Sequence, residues 1–263
     1  MASKQKEKII RFYRGTEEEE TAVKLVDLAT QALQSQKFRV SAFLSPLGQE
    51  IAETVKANFP GIKIDFFGGY HGAERQKALF VDASFESQPA YGIVVVEASW
   101  NEKFAHLSHR DVLGSLMGLG IERDCIGDIL VTSECAKIIV DKGMADFLLA
   151  NLTHIGSEAV KCSLGDLAAL APKEERCKEI RATVASMRVD SIAAAGFGTS
   201  RSRAVEDIAA DKLKINWQAV KSPSQMVKEG DTLSMRGRGR LEVAEVRGQT
   251  KKGRTCVFLK RYL

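Results

Sequence analysis

The sequence predicts a multidomain α+β protein, and three observations lead to this prediction. Helical and strand-like patterns alternate through the first two thirds of the chain, whereas the last third has two short helices followed by short strands. Residues 178–263 hold 18 Lys and Arg against 9 Asp and Glu, so a basic segment follows an acidic one. The 263 residues, 44% of them apolar, suffice for roughly two or three compact domains. We expect domains at 1–75, 76–177 and 178–263.

The first domain, 1–75, is predicted to be a small α/β unit. Its expected elements are a helix, a strand, a helix and a strand, at residues 16–36, 38–44, 45–58 and 62–67. Thr16 suits the N-cap of the first helix, and the glutamates that follow it favour the positive end of the helix dipole. Ser45-Pro46 is typical of a helix start, because serine caps and proline fits the first helical position. The glycine-rich segment 68–72 is expected to be a loop.

The middle domain, 76–177, has the most regular pattern. Its signals follow the order β-α-β-β-α-β, at residues 93–98, 109–119, 129–132, 137–140, 144–152 and 159–164. This order is the split βαβ, or ferredoxin-like, arrangement, which is also the RRM-like topology of RNA-recognition sheets. The strands at 93–98 and 137–140 lack the aromatic residues on which such sheets stack bases. The topology alone therefore does not establish an RNA role for this domain.

The basic domain, 178–263, is expected to follow a charged linker at 170–175. We predict two short helices, the second capped by Ser200, and then a small twisted sheet. The helices are expected at 188–195 and 201–210, and the strands at 213–217, 232–235, 241–246 and 255–259. Positive charge concentrated in one domain attracts a polyanion, for which a phosphate backbone is the natural candidate.

Side chains of the basic domain supply the candidate RNA contacts. Serines and arginines at the start of the second helix place donors beside free backbone N–H groups, which favours phosphate binding. Three arginines at 236, 238 and 240 alternate with glycines; if extended they would project from one face, and the glycines would let an RNA backbone approach. The predicted RNA-binding residues are Arg188, Ser200, Arg201, Ser202, Arg203, Lys212, Lys214, Asn216, Lys221, Arg236, Arg238 and Arg240.

Several kinds of site and location are not expected from this sequence. No catalytic constellation, metal site or cofactor motif is predicted, so we expect no catalytic residues, no metal and no cofactor. The five cysteines form no Cys-x-x-Cys pair, which favours reduced thiols in a cytoplasmic protein. No segment approaches the roughly 18 apolar residues that a membrane span requires, so no membrane partner is expected.

Motifs of the basic domain resemble the S-four RNA-binding domain, which is named after a ribosomal small-subunit protein. They are Met187-Arg188-Val189-Asp190, Gly196-Phe197-Gly198-Thr199-Ser200-Arg201-Ser202-Arg203-Ala204, Lys214-Ile215-Asn216, Pro223-Ser224, Glu229-Gly230-Asp231 and Arg236-Gly237-Arg238-Gly239. Their order and spacing agree over residues 181–245. The pattern departs at Asp211-Lys212, where the family often has a glycine. The resemblance implies a fold of two helices and a small sheet that binds structured RNA.

The middle domain is similar to that of the YlmH-type proteins, bacterial RNA-binding proteins with a C-terminal S-four domain. The segments concerned are 107–121, Arg123 and 126–130, and more weakly Gly68-Gly69 and Glu74-Arg75. The resemblance implies ribosomal RNA or tRNA and the ribosomal large subunit as partners. It further implies rescue of stalled large subunits that carry peptidyl-tRNA, and a looser link to cell division. Arg110 and Arg123 are candidate secondary RNA contacts.

The leading hypothesis is a non-enzymatic RNA-binding factor, and two alternatives stay open. An RNA-modifying enzyme would have its active site in the N-terminal two thirds, where the loop 68–75 and the helix from His109 are the first places to look. A scaffold protein would bind a protein partner through its acidic N-terminal part. A cleft at either place with converging titratable groups would favour the enzyme.

Overall fold

The structure, a computed structural model, describes residues 2–101, 107–170, 177–250 and 253–262. The chain forms two compact units, Met1–Lys173 and Glu174–Leu263. Helices and strands occur in both units, so the predicted multidomain α+β class is confirmed. The predicted linker at 170–175 lies, apart from its first residue, outside the described residues.

An antiparallel three-stranded sheet organises the N-terminal part of the first unit. The elements of this part are α1 (Ala2–Tyr13), α2 (Glu19–Ser35), β1 (Phe38–Leu44), α3 (Pro46–Asn58), β2 (Ile62–Phe67) and β3 (Gln76–Asp82). The strand order is β1-β3-β2, and α2 and α3 pack on the sheet around Leu25, Ile51 and Phe80. These side chains are at most 1% exposed, and each such burial contributes about 1.5–3 kcal/mol to folding.

The four elements predicted within 16–67 are present, with differences at their ends. Ser45 caps α3, because its side chain accepts a hydrogen bond from the Gly48 N–H at 3.3 Å. The prediction of Thr16 as an N-cap is wrong, since α2 begins at Glu19. The Thr16 hydroxyl instead donates to the Tyr13 carbonyl at 2.7 Å, where it satisfies an acceptor at the end of the unpredicted helix α1.

The strand β3 was not predicted, and it follows the predicted domain boundary at residue 75. This strand is central in its sheet: it pairs with β1 through Val40 and Leu79, and with β2 through Ile64 and Phe80. A boundary at 75 would separate β3 from both partners. We therefore propose a division after Asp82, and the boundary at 177 stays a prediction.

The second part of the first unit has the predicted ferredoxin-like topology. Its elements are β4 (Ile93–Ser99), α4 (His109–Gly118), β5 (Ile126–Val131), β6 (Cys135–Asp141), α5 (Ala145–Asn151), β7 (His154–Ile155), β8 (Glu158–Ala159) and β9 (Lys161–Gly165). The sheet order is β5-β6-β4-β9 with every neighbouring pair antiparallel, as the β-α-β-β-α-β order predicts. Val112 of α4 and Leu148 of α5 pack on one face of the sheet, against Val96 and Ile138.

The opposite face of this middle sheet is also buried. Val95 of β4 and Ile139 of β6 have no exposed surface, and they cluster with Phe43 of β1. Close approach depends on Gly127 of β5, since a Cβ there would lie 2.8 Å from the Phe43 ring. The N-terminal part therefore covers the face that RNA-recognition sheets use to bind bases.

An ion pair of a buried lysine with a partly exposed aspartate reinforces this internal junction. Lys77 of β3 is 3% exposed, and its ammonium pairs with Asp141 at the end of β6. The same ammonium donates to the Tyr91 carbonyl at 3.2 Å and lies 5.2 Å from the centre of the Phe43 ring. A buried ammonium needs such partners, because an unpaired charge in the interior is very costly. The charge at Lys77 therefore fixes how β3 meets the middle sheet.

The second unit is built on a six-stranded antiparallel sheet. Its elements are β10 (Cys177–Val184), α6 (Val189–Phe197), α7 (Arg201–Ala209), β11 (Leu213–Ile215), β12 (Gln218–Ala219), β13 (Thr232–Met235), β14 (Gly239–Gln249) and β15 (Thr255–Tyr262). The order is β10-β15-β14-β13-β11-β12. Both predicted helices and the four predicted strands are present, and β10 and β12 are additional.

One face of this C-terminal sheet packs against α6 and α7. Phe197 of α6 and Ile208 of α7 share a core with Leu241 of β14 and Val257 of β15. Gly196 makes the closest contact between helix and sheet, because a Cβ there would lie 2.0 Å from the Leu241 side chain. A glycine is therefore required at this position of α6.

Candidate nucleic-acid interface

The turn between α6 and α7 forms the centre of the candidate interface. Gly198 ends α6 in the left-handed conformation, with φ at 65°, which glycine adopts without steric cost. Ser200 then caps α7, since its side chain accepts from the Arg203 N–H at 3.1 Å. The predicted cap is therefore confirmed. Arg201, Ser202 and Arg203 are exposed in the first turn of α7.

A buried carboxylate positions two of the predicted arginines. The Asp190 side chain is 3% exposed and accepts from Arg188 at 3.1 Å and from Arg201 at 3.0 Å. Burial alone would raise the pKa of Asp190, but the hydrogen bonds from the two guanidiniums outweigh it and hold the pKa below its ordinary value. Arg188 and Arg201 keep 37% and 51% of their side-chain surface exposed. Two positioned guanidiniums thus face solvent side by side.

A second carboxylate, that of Asp207, links α7 to the turn before β11. Asp207 is 4% exposed and accepts from the Lys212 ammonium at 3.1 Å, and the Arg203 guanidinium lies 3.7 Å away. The hydrogen bond from Lys212 lowers the pKa of Asp207. Asp211 has φ at 51°, so this residue adopts the left-handed turn where the S-four pattern often has a glycine. The Asp207 carboxylate therefore holds the Lys212 and Arg203 side chains near each other.

Within the segment 236–240, residues 236–238 form the hairpin turn between β13 and β14 and are not extended, while Gly239 and Arg240 belong to β14. Arg238 N–H donates to the Met235 carbonyl at 2.9 Å, and Gly237 and Gly239 have φ of 79° and 86°. The three arginines therefore do not project from one face, which corrects that expectation. The Arg238 side chain extends to the end of α6, where its guanidinium donates to the Phe197 carbonyl at 3.3 Å.

The two glycines of this turn have different surroundings. A Cβ at Gly239 would lie 2.7 Å from the Tyr262 carbonyl oxygen, so this glycine serves the contact between β14 and β15. A Cβ at Gly237 would meet nothing within 4 Å. Close approach of an RNA backbone is therefore a role open to Gly237.

Basic residues from two strands and two turns line a cleft of about 400 Å³. Lys212, Lys214, Arg236 and Arg240 contribute its cations, and Asp211 adds one carboxylate. The excess of positive charge suits a phosphate group. The structure thus brings these four predicted residues together, and their contact with RNA stays a prediction.

The remaining predicted residues have separate environments. Asn216 donates to the Asp231 carboxylate at 2.9 Å and accepts from the Thr232 N–H at 2.8 Å, which gives its side chain a structural role at the turn after β11. Lys221 is exposed in the loop after β12. Its backbone N–H donates to the Gln225 side chain at 3.3 Å. RNA binding by Asn216 and Lys221 stays a prediction.

Sequence reasoning missed the acidic residues that organise the arginines. Asp190 and Asp207 are buried within a segment of strong positive charge, and each holds basic side chains of the candidate interface. A signal was available, because aspartates on the apolar faces of short basic helices are rarely buried without a partner. Arg261 of β15 was missed as well; its guanidinium donates to the Phe197 and Arg238 carbonyls at 3.3 Å each.

The two candidate secondary contacts differ in accessibility. Arg110 is exposed in the first turn of α4. Arg123 is half-buried, and its Nη1 donates to the Ile126 carbonyl at 2.7 Å and the Gly127 carbonyl at 3.1 Å. Burial lowers the pKa of Arg123. These bonds give Arg123 a role in holding the start of β5, and RNA contact by either arginine stays a prediction.

The loop 68–75 and the start of α4 do bring titratable groups together. Asp128 of β5 accepts from the Tyr70 hydroxyl at 2.8 Å, the Glu74 N–H at 2.8 Å and the Arg75 N–H at 3.0 Å. His109 stands near this group and is exposed, and partial loss of hydration, followed by the positive charge of Arg123, lowers its pKa. The Asp128 carboxylate thus fastens the loop to the middle sheet.

The Arg75 guanidinium also holds the loop 68–75 against the neighbouring strands. It donates to the carbonyls of Ile126 at 2.9 Å, Phe43 at 2.8 Å and Arg123 at 3.1 Å. Burial and then the neighbouring charge of Arg123 lower the pKa of Arg75 to about 10. Three backbone acceptors from both parts of the unit surround one cation. This arrangement supports a structural role for the loop 68–75.

Among the described residues, no three or more His, Cys, Asp or Glu side chains are grouped so that they could hold a metal ion. No described helix combines the length and apolar character needed to cross a membrane. All five cysteines are free thiols.

Three family models match successive parts of the chain. The model described as "YlmH, N-terminal" matches residues 17–83, and "Putative RNA-binding domain in YlmH" matches residues 86–168. The model "S4 domain" matches residues 187–233, which contain α6, α7 and the carboxylates that hold the arginines. The hairpin of β14 and β15 lies beyond that match.

Similar proteins are found in Bacillus subtilis and Streptococcus pneumoniae. "Ribosome-associated protein quality control protein P2" of Bacillus subtilis (strain 168) is 33% identical over 226 residues, which cover 86% of this chain and 88% of that protein. The solved structure of "Cell division protein ylmH from Streptococcus pneumoniae" superposes with a TM-score of 0.51 at 22% identity. That superposition covers 59% of this chain and 95% of the other, and it shows a shared fold.

Proposed function

Since the chain belongs to the YlmH family, we propose that it is a non-enzymatic, ribosome-associated factor whose C-terminal unit docks on structured ribosomal RNA or tRNA. The proposed target is the ribosomal large subunit that carries peptidyl-tRNA, in quality control of stalled translation. The name of the Bacillus subtilis relative supports a role in ribosome-associated quality control, and the name of the Streptococcus pneumoniae protein supports a link to cell division. A factor that works on ribosomes would act in the cytoplasm. A protein partner for the N-terminal part stays a prediction.

The observation that carries this proposal is the pair of guanidiniums on Asp190. Arg188 and Arg201 converge on one carboxylate and keep part of their surface exposed. Because the carboxylate fixes both side chains before RNA arrives, less conformational entropy is lost on binding. The pair then presents donors in a fixed geometry, which suits the oxygens of adjacent phosphates.

The mechanism is electrostatic attraction followed by recognition of shape. The basic unit attracts RNA over a distance, and the contacts at α7 and in the cleft lined by Lys212, Lys214, Arg236 and Arg240 then fix its orientation. Each phosphate neutralised by a side chain releases condensed counterions, so the affinity must fall steeply as salt rises. A duplex or folded RNA suits this surface, because its contacts are to the backbone rather than to base edges.

Replacement of two exposed arginines tests the proposal. The double variant Arg201→Ala/Arg203→Ala should bind purified large ribosomal subunits at least about tenfold more weakly, since hydrogen bonds to charged groups contribute about 1.5–3 kcal/mol each. The slope of log affinity against log salt should fall by about 1 for each lost contact. Binding is measured with full-length protein at four salt concentrations.

The matched control removes the same charge elsewhere in the same unit. Lys178 and Lys228 are exposed and lie outside the candidate interface. The variant Lys178→Ala/Lys228→Ala should change the affinity by less than about twofold, as expected for peripheral charges. Equal losses in the two double variants would indicate a diffuse charge effect and contradict the proposed docking surface.

A further inference from the structure

The C-terminal sheet has a second face that its own helices do not cover. Along β15, Val257 and Leu259 are 1% exposed and point to the core beneath α6. The intervening residues Phe258, Lys260 and Tyr262 lie on the opposite face and are partly exposed. This outer face is formed mainly by β10, β15 and β14, and most of it lies outside the S4 match.

Guanidiniums stack against both aromatic rings of the outer face. The Arg247 Cζ lies 4.2 Å from the centre of the Phe258 ring, and the Arg181 Cζ lies 5.1 Å from the same centre. The Arg240 Cζ lies 5.4 Å from the centre of the Tyr262 ring. Such contacts are favourable electrostatically and hold the planar groups in place.

The strand register explains why these groups meet. Arg181 of β10 is the cross-strand partner of Phe258, and Arg240 of β14 is the partner of Tyr262. A bulge between Val243 and Glu245 shifts the following residues of β14. Rings and cations therefore form a continuous surface that no short motif in the sequence displays.

The outer face is continuous with the basic cleft of the candidate interface. Lys214, Ser234, Arg240 and Tyr262 are successive cross-strand partners on β11, β13, β14 and β15. Arg240 and Lys214 also line the cleft. An RNA strand held at the cleft would therefore pass directly onto the rings.

The charge of the outer face is positive overall. Its cations are Lys214, Arg181, Arg240, Arg247 and Lys260, and its acids are Glu179, Glu242 and Glu245. Two of the acids bond to groups on the face itself: Glu245 accepts from Arg247 at 2.9 Å, and Glu242 accepts from the Tyr262 hydroxyl. These bonds orient the ring and the guanidinium while the net charge stays favourable to phosphate.

We propose that this outer face binds unpaired RNA nucleotides, whose bases stack on Phe258, Tyr262 and the guanidiniums beside them. Planar rings and guanidiniums are the groups on which unstacked bases rest, and the cations between them match the phosphates. An acidic protein segment would match the charge but would not use the rings. The inference rests on the proposed RNA-binding function, although it concerns residues outside α6 and α7.

A fluorescent single strand tests the stacking. Full-length protein is titrated into a 12-nucleotide single-stranded RNA with a central 2-aminopurine, and into a 12-base-pair RNA duplex without unpaired bases. Phe258→Leu should weaken binding to the single strand by about tenfold and abolish the quenching, since stacking on aromatic rings contributes strongly to the binding of single strands. Binding to the duplex should change by less than twofold.

Two controls make the result interpretable. Phe12→Leu removes a ring that is 76% exposed in α1 and should leave the binding of both RNAs unchanged. Arg247→Gln keeps Phe258 and removes the nearer of the two guanidiniums beside its ring. It therefore replaces Phe258→Leu if that variant fails to fold, with the same direction of effect. Unchanged affinity and quenching in a folded Phe258→Leu or Arg247→Gln variant would overturn the inference, as would equal competition by a 12-residue poly-glutamate peptide.

The variant Arg201→Ala/Arg203→Ala separates this inference from the proposed function. If it weakens large-subunit binding while Phe258→Leu leaves the single strand bound, the proposed docking function holds and the proposal for the outer face is wrong. If it has no effect while Phe258→Leu releases the single strand, the proposal for the outer face holds and the proposed docking surface is wrong. If neither variant has an effect, both are wrong.

Discussion

The middle sheet and the C-terminal sheet have opposite surroundings. The middle sheet has the RRM-like strand order, but its second face is buried: Val95 and Ile139 have no exposed surface beneath Phe43. The C-terminal sheet has another order, and its second face carries Phe258 and Arg181 with exposed surface. The strand order of a sheet therefore does not tell whether it can bind RNA; the exposure of its faces does.

The difference also limits how the middle domain can contact RNA. Its family model carries an RNA-binding description, yet base stacking on its sheet would require removal of the N-terminal part. The exposed Arg110 on α4 belongs to the other side of the sheet. An RNA contact of the middle domain would thus use helices or loops, through phosphates rather than stacked bases.

Matched lysine substitutions on the two sheets give the largest expected effect. Ile139→Lys introduces a charge where nothing is exposed, so it should lower the free energy of unfolding by about 4 kcal/mol or prevent folding of the first unit. Thr183→Lys adds the same group to the outer face of β10, where the change should stay within about 0.5 kcal/mol. Urea denaturation of both proteins measures this. Similar losses would show that the two faces are equally buried and would break the comparison.

Removal of the Asp190 charge should have a smaller effect that depends on pH. Asp190→Asn weakens the hydrogen bonds to Arg188 and Arg201, with an expected loss of about 1–3 kcal/mol at neutral pH, towards the lower end because both arginines are partly exposed. The folded pKa of Asp190 lies below the ordinary 3.8. Its stabilising contribution is therefore complete well above pH 3.8 and is lost as the pH falls through that value towards the folded pKa.

Urea denaturation at several pH values between 7 and 3 measures this effect. The difference in the free energy of unfolding between the original protein and Asp190→Asn should narrow as the pH falls, because protonation of Asp190 removes the same charge as the substitution. Asp146→Asn, on the short helix α5 of the first unit, is the control and should show no comparable gap. A gap of constant size down to pH 3 would show that the Asp190 charge does not stabilise the fold.

Local patterns predicted most elements of the fold. Helical periodicity located α2, and the order β-α-β-β-α-β gave the correct arrangement of the middle sheet, because both depend on near neighbours in the chain. β10 was missed although Ile180, Ala182 and Val184 alternate with polar residues. Among the described residues it pairs with β15, and the pairing joins residues 177–184 to residues 255–262. Pairing over such a distance leaves little trace in a local window.

The candidate site was predictable in residue type but not in arrangement. The basic residues of α7 and of the cleft followed from charge and motif. Their fixed positions did not, because these depend on Asp190 and Asp207, which become partners only when the helices fold. The outer face was not predictable either, since Arg181 and Phe258 meet only through strand pairing. Likewise, the second face of the middle sheet is buried by Phe43, a residue about 50 positions before Val95 in the chain.

A map of RNA–protein crosslinks tests the central claim most directly. Full-length protein bound to large ribosomal subunits would be irradiated, and the crosslinked peptides identified by mass spectrometry. We predict adducts in the first turn of α7, at the cleft around Arg236, and on β15 at Phe258, and none on β4 or β6. Adducts on the strands of the middle sheet, with none in the C-terminal unit, would contradict the account.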